Sequence, residues 1–160
     1  MTDYVVGVIF CDRYDLTEFD YPFVKLALLT KKYPDWQAGY LNGIGGKIEA
    51  GERPREAMYR EAEEETFGVL NRVNMRDSTE YCCSWKTPSN KVWFYSIYAD
   101  HYTFNNLPAQ NDVGESFEFL QIKDLPDFSD KMIPNLNFII PLMYYGERSG
   151  VRIPLFRENC

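Results

Sequence analysis

Apolar residues gather in short runs divided by polar, glycine- and proline-marked breaks. Tyr4 to Phe10 is an apolar run of strand length and reads as a buried strand. Phe23 to Thr30 (FVKLALLT) reads as a second. Lys31 to Gly39 is a loop, with Pro34 and Gly39 as breakers. Tyr40 to Ile44 is a short extended piece, and Gly45 and Gly46 after it suit a tight turn. Pro54 fits the first turn of a helix, because its missing N–H would have no partner there. That helix is predicted over Pro54–Thr66, with Ala57, Met58 and Ala62 on an apolar side. Thr79–Lys86 and Lys91–Ala99 predict a hairpin joined through Thr87-Pro88-Ser89-Asn90, and Ser116–Ile122 a further strand. A second helix is predicted from Pro134 to about Tyr145, kinked or shortened by Pro141. Val151–Phe156 reads as a short closing strand. Strands, helix, strands, helix predict an α/β (α+β) fold, a mixed sheet with helices packed against it.

The polar side of the first helix changes the picture. Glu61, Glu64 and Glu65 stand at i, i+3 and i+4, so a helix brings three carboxylates to one face. Like charges at that spacing weaken a helix. A sequence that keeps them points to a cation bound there. A solvated acidic face is the plain alternative, and three glutamates alone would favour it.

Composition narrows the classes. At 160 residues the chain reads as one domain, 1–160, with room for a proper core. Its net charge of −7 speaks against a long nucleic acid as partner, but not against small anionic substrates. No stretch is apolar enough to span a bilayer, so no membrane partner is expected. Met1-Thr2-Asp3-Tyr4 lacks the basic start of a signal peptide, which gives a cytoplasmic expectation. Cys11, Cys82, Cys83 and Cys160 match no zinc spacing, and the adjacent pair would not normally bond to each other. His101 is the one histidine, so a His-based metal site or a Ser-His-Asp triad has little to stand on.

The segment Gly45–Val69 (GGKIEAGERPREAMYREAEEETFGV) resembles the signature box of the Nudix hydrolases. That box runs glycine, five residues, glutamate, seven residues, then R-E-apolar-x-E-E-x-G-apolar. Gly46, Glu52, Arg60, Glu61, Ala62, Glu64 and Glu65 fall into place. At roughly 6–7% usage per residue type, six fixed matches arise by chance on the order of 10⁻⁷ per start site. One position departs: Phe67 stands where the family has glycine, and Gly68-Val69 follow one place late. This reads as a one-residue insertion, with Gly68 as the residue that ends the helix. Lys25–Gly46 and Glu115–Met143 also look like the lead-in and the final strand and helix of MutT-like members.

The resemblance implies an α/β/α sandwich with a mixed central sheet. It also implies hydrolysis of a nucleoside diphosphate linked to another group, X, with Mg²⁺ or Mn²⁺. Mg²⁺ prefers carboxylate oxygens, which suits glutamates without His or Cys. By resemblance the metal falls to Glu61, Glu64, Glu65 and the carbonyl of Gly45. Arg60 and Glu52 would hold loop and helix together. The general base is a box glutamate or an acid on a later loop, where Asp112, Glu115 and Glu118 are available and Glu115 is favoured, also as a further metal ligand. Lys31, with Lys32 beside it, and Lys47 are candidates for phosphate contact, with surface lysines as the plain alternative. Asn42 and Asn135 are candidate base readers, since an amide donates and accepts at once. Helix capping explains Asn135 equally well. Of the tryptophans, Trp36 is the better candidate to stack on a base and Trp93 the better candidate for core packing.

The expected substrates are nucleoside triphosphates, oxidised ones included, giving a monophosphate and pyrophosphate. ADP-ribose, dinucleoside polyphosphates, coenzyme A and capped RNA ends are alternatives within the family. A nucleotide sensor of the same fold would lack box carboxylates, and a calcium-binding acidic helix would need EF-hand spacing. The protein is expected as a monomer or homodimer.

Overall fold

The computed structural model describes residues 1–11 and 22–148, with side chains to residue 144. The predicted strand Val151–Phe156 lies outside them. Seven strands form one sheet: β1 Thr2–Cys11, β2 Lys25–Thr30, β3 Leu41–Asn42, β4 Ile44–Lys47, β5 Thr79–Lys86, β6 Asn90–Ala99 and β7 Ser116–Gln121. Among the described residues four α-helices accompany it: α1 Pro54–Glu65, α2 Arg72–Met75, α3 His101–Asn105 and α4 Leu136–Arg148. The backbone order is β3-β2-β1-β6-β5, with β4 also paired to β1 and β7 to β2. Only β1 and β6 run parallel among these pairs, so the sheet is mixed.

Strand alternation builds two cores, one per face. Val5, Ile9, Ala27, Leu29, Trp93, Tyr95 and Ile97 point one way and meet Ala57, Met58 and Ala62 of α1. Val8, Phe10, Leu26, Leu28 and Phe94 point the other way and meet Leu136, Ile139 and Ile140 of α4. The expected α/β/α sandwich results, and Trp93 is a core residue as expected. No helix among the described residues is long and apolar enough to cross a membrane.

Three local features differ from the sequence expectation. Gly45 and Gly46 are not a turn. They lie in β4, opposite Val6 and Val5 of β1. The sequence break reflects close approach, because a Cβ on Gly45 would collide with the backbone oxygen of Val5. The second helix begins at Leu136, not Pro134, and passes through Pro141 without ending there. His101 opens a short helix, capped by the Asp100 carboxylate on the Thr103 N–H. Cys82 and Cys83 sit at a β-bulge that turns both thiols toward the α4 side, where they hydrogen-bond to each other as free thiols.

The third is the end of α1. Phe67, not Gly68, is the residue that follows the cap Thr66, and it takes the left-handed conformation, φ 52°, in the position the family gives to glycine. Gly68 follows at φ 80°, and its N–H donates to the Glu63 carbonyl at 2.9 Å, the long bond of a Schellman motif. Thr66 seals the same end: its hydroxyl donates to the Ala62 carbonyl at 2.6 Å and accepts from the Leu70 N–H at 2.9 Å. A left-handed L-residue costs ~1–2 kcal/mol, and the Phe67 side chain is mostly exposed, so it recovers little by packing. Phe67→Gly should therefore raise stability by about 1 kcal/mol and Tm by about 3 °C. An unchanged or lower Tm in thermal denaturation would show that the ring is doing something the strain conceals.

Candidate active site

β4 and α1 set the site between them. α1 packs on β4 and β1, which lays its glutamate face along Gly45 and Gly46. The Gly45 N–H donates to Glu65 Oε2 at 2.7 Å. Gly46 leaves the space that the Glu61 carboxylate fills, since a Cβ there would overlap it. These two glycines therefore do for the carboxylates what no other residue could.

Arg60 ties the loop before α1 to the helix. Its guanidinium grips Glu52 in two-pronged fashion, Nε to Oε1 at 2.9 Å and Nη2 to Oε2 at 3.0 Å. Nη1 donates to Glu61 Oε1 at 2.6 Å, and Nη2 also reaches the Lys47 carbonyl at 3.0 Å. Glu64 stands 3.6 Å from Nη1 and half in solvent. The Arg60 hydrogen bond holds the Glu52 carboxyl below the usual carboxylate range. The organising role that the resemblance gave Arg60 and Glu52 matches this geometry.

Behind Glu65 lies a second group of charges. Glu115 is 1% exposed, yet lies within reach of Lys31, whose ammonium donates to Oε1 at 2.8 Å. The Lys32 N–H donates to Glu115 Oε2 at 2.7 Å. Burial pushes the Glu115 carboxyl up, but Lys31, the Lys32 N–H and Asn111 together hold it below its ordinary value. Glu65 has weaker support. Burial pushes it up to about 8, opposed by Lys31 and the Gly45 N–H and reinforced by the charges of Glu61 and Glu115. Glu61 is also raised, by burial first and then by Glu64 and Glu52, against the pull of Arg60. The repulsion expected from the sequence is thus present in the fold.

Asp112 and Glu118 are exposed, whereas Glu115 joins the box glutamates. Among the described residues no three His, Cys, Asp or Glu side chains cage an ion as they stand. Arg60 turns Glu61 aside, and Glu65 is tied to Gly45. The donor set nevertheless suits a hard divalent cation: it is all oxygen, Glu64 stands half in solvent, and a bound cation would favour the ionised form of Glu65 that burial disfavours.

A cavity of about 400 Å³ is lined by Lys31, Gly45 and Gly46, each of which touches one of these carboxylates, and by Tyr33, Trp36, Asn42 and Asn135. Trp36 is 67% exposed and Tyr33 is 64%, so both aromatic faces are available. The amide of Asn42 is engaged, accepting from the Gly43 N–H at 2.8 Å and donating to Gln37 at 3.0 Å. Asn135 differs. Its backbone carbonyl accepts the first turn of α4 from Ile139, but its side-chain Oδ1 is buried and accepts no hydrogen bond. The side chain therefore does not cap the helix. Lys47 is exposed and not in the cavity lining, so the structure does not bring it to the others.

A family model described as NUDIX domain matches residues 6–138. The chain belongs to the Nudix family. It is accordingly a pyrophosphohydrolase, acting on nucleoside diphosphate derivatives. No curated protein matches the chain in sequence. Solved structures share its fold. A MutT structure, from work on the Aliivibrio salmonicida and Vibrio cholerae proteins, is 23% identical with TM-score 0.60, covering 89% of this chain and 96% of that one. A Caenorhabditis elegans Ap4A hydrolase complex is 14% identical with TM-score 0.57, covering 93% and 99%. NrtR of Shewanella oneidensis is 15% identical with TM-score 0.61, covering 93% and 64%. At these identities the likeness is one of fold.

One residue of this Nudix site escaped sequence reading. Asn111 is buried between Glu65 and Glu115 and donates to both, at 3.3 and 2.9 Å. Its partners are far apart in sequence. The only local hint is the Asn111-Asp112-Val113-Gly114 composition of a turn.

Proposed function

We propose that this protein hydrolyses nucleoside triphosphates, oxidised ones included, to the monophosphate and pyrophosphate, with Mg²⁺ or Mn²⁺. The observation that carries this reading is the junction of cavity and carboxylates. A cleft lined by Tyr33 and Trp36 is also lined by Gly45, Gly46 and Lys31, which touch Glu65, Glu61 and Glu115 respectively. A base at one end and a charged phosphate chain at the other would match that gradient.

In this reading Glu61, Glu64, Glu65, Glu115 and the Gly45 carbonyl would hold the metal. When bound, the metal neutralises phosphate charge and makes water a better nucleophile at neutral pH. Arg60 keeps Glu61 and Glu52 in register. Glu115, held ionised, is in the state a metal ligand needs. Lys31 adds positive charge where the phosphates would lie. Tyr33 and Trp36 offer faces for stacking, and the Asn135 side chain, whose Oδ1 is closed off as it stands, would have to turn toward the cleft to meet a base.

A substrate panel tests this. Purified protein with Mg²⁺ is assayed against nucleoside triphosphates, oxidised purine triphosphates, ADP-ribose and dinucleoside polyphosphates. Triphosphates should turn over fastest. Preference for a dinucleoside polyphosphate would instead assign the exposed Trp36 and Tyr33 to a second base. No turnover at all would favour a nucleotide sensor. Asn135→Ala should narrow the kcat/KM difference between bases by ~10-fold, the scale of one lost base contact. An unchanged ratio between bases would make Asn135 structural.

A further inference from the structure

We propose that Asn111 is a positioning residue that sets Glu115 and Glu65 at a fixed separation across the site. The inference rests on the reading of those two carboxylates as site residues. An asparagine side chain has two donors and two acceptor lone pairs. Asn111 uses all four. Nδ2 donates to Glu65 Oε1 at 3.3 Å and to Glu115 Oε1 at 2.9 Å. Oδ1 accepts from the Glu115 N–H at 2.8 Å and the Val113 N–H at 3.2 Å.

The backbone closes the same loop. The Asn111 N–H donates to the Glu115 carbonyl at 2.9 Å, and the Gly114 N–H to the Asn111 carbonyl at 3.1 Å. The loop 111–115 is thus a closed turn with Asn111 at its root. The two halves of the side chain serve separate ends. Oδ1 shapes the turn that carries Glu115. Nδ2 locks that turn to α1, a helix contributed from 46 positions earlier in the chain. Few other side chains fit. Aspartate would keep the acceptor half and bring a third negative charge to two buried carboxylates. Alanine would lose both halves. A carboxylate displaced by about 1 Å can cost ~10²-fold in rate, so this amide matters beyond loop stability.

That split of roles gives the test. Asn111→Asp retains the turn-forming acceptors and removes the bridge, and Asn111→Ala removes both. With Mg²⁺ and the fastest substrate of the panel, each variant should lower kcat at least ~10-fold, with KM within ~3-fold of the parent. Because Asn111→Asp sets a third carboxyl against two buried ones, both variants should melt below the parent, and kcat is compared at a temperature where circular dichroism shows each still folded. If Asn111→Asp turns over at the parent rate while Asn111→Ala does not, the residue only forms the loop and the proposal falls. Parent rates in both overturn it as well. Glu115→Gln is run alongside. Full activity there would sink the reading of Glu115 itself, a failure distinct from that of Asn111.

Discussion

Replacing Glu64 with glutamine should reduce kcat by on the order of 10²–10³-fold while leaving the protein folded. A carboxylate that helps hold a divalent cation against a phosphoanhydride contributes several kcal/mol to transition-state charge balance, and each ~1.4 kcal/mol is tenfold in rate. Glutamine keeps the volume and one carbonyl oxygen but loses the charge. Glu64 suits this test because it is the least embedded of the three box glutamates. It makes only a 3.6 Å approach to Arg60 and stands half in solvent. Its loss should leave the Arg60–Glu52–Glu61 network and the Gly45–Glu65 bond standing. Steady-state kinetics with unchanged circular dichroism would separate chemistry from stability. Parent-level kcat in Glu64→Gln would remove Glu64 from the metal site.

Stability should fall as pH rises in the metal-free protein, the reverse of the usual acid sensitivity of carboxylates. Glu65 is pushed up to about 8 by burial, from 4.5. Its folded form therefore holds a proton that the unfolded chain has released. The resulting stabilisation is fully present below pH 4.5 and is lost as pH rises through about 8. At ~1.4 kcal/mol per tenfold in proton affinity, the effect reaches as much as about 4–5 kcal/mol. Glu61 is raised in the same direction. Glu115 is lowered, and its contribution is lost only as pH falls below the ordinary carboxylate range, outside this window. Denaturation in EDTA from pH 5 to 8.5 should show the decline, and Glu65→Gln should flatten it. Added Mg²⁺ at pH 8 should recover stability, because a cation offsets the charge that burial disfavours. A level profile in EDTA for the parent would contradict this account of Glu65.

The sandwich was legible because its signals are local and periodic. Val5 to Phe10 alternates between two buried faces, and short buried strands of that kind announce themselves. The glutamate face was legible for the same reason, since helix geometry alone brings positions 61, 64 and 65 together. The misread positions depend on partners distant in sequence. Gly45 and Gly46 look like a turn until β1 and Glu61 are placed against them. Phe67 looks like an insertion because left-handed backbone is expected of the neighbouring glycine, yet both residues adopt it. Asn135 looked equally like a helix cap, and only the unpartnered Oδ1 separates the two roles. Asn111 carried almost no signal, since its meaning lies in two carboxylates that folding delivers from different elements.

In the proposed reaction water opens the anhydride between the α- and β-phosphates of a nucleoside triphosphate at the face of Glu61, Glu64 and Glu65. Phosphorus NMR of the Mg²⁺ reaction on the best triphosphate of the panel tests it most directly. Resonances of a nucleoside monophosphate and pyrophosphate should grow in equal amounts, and should be absent with Glu64→Gln. A nucleoside diphosphate with inorganic phosphate, or an unaltered triphosphate, would contradict it.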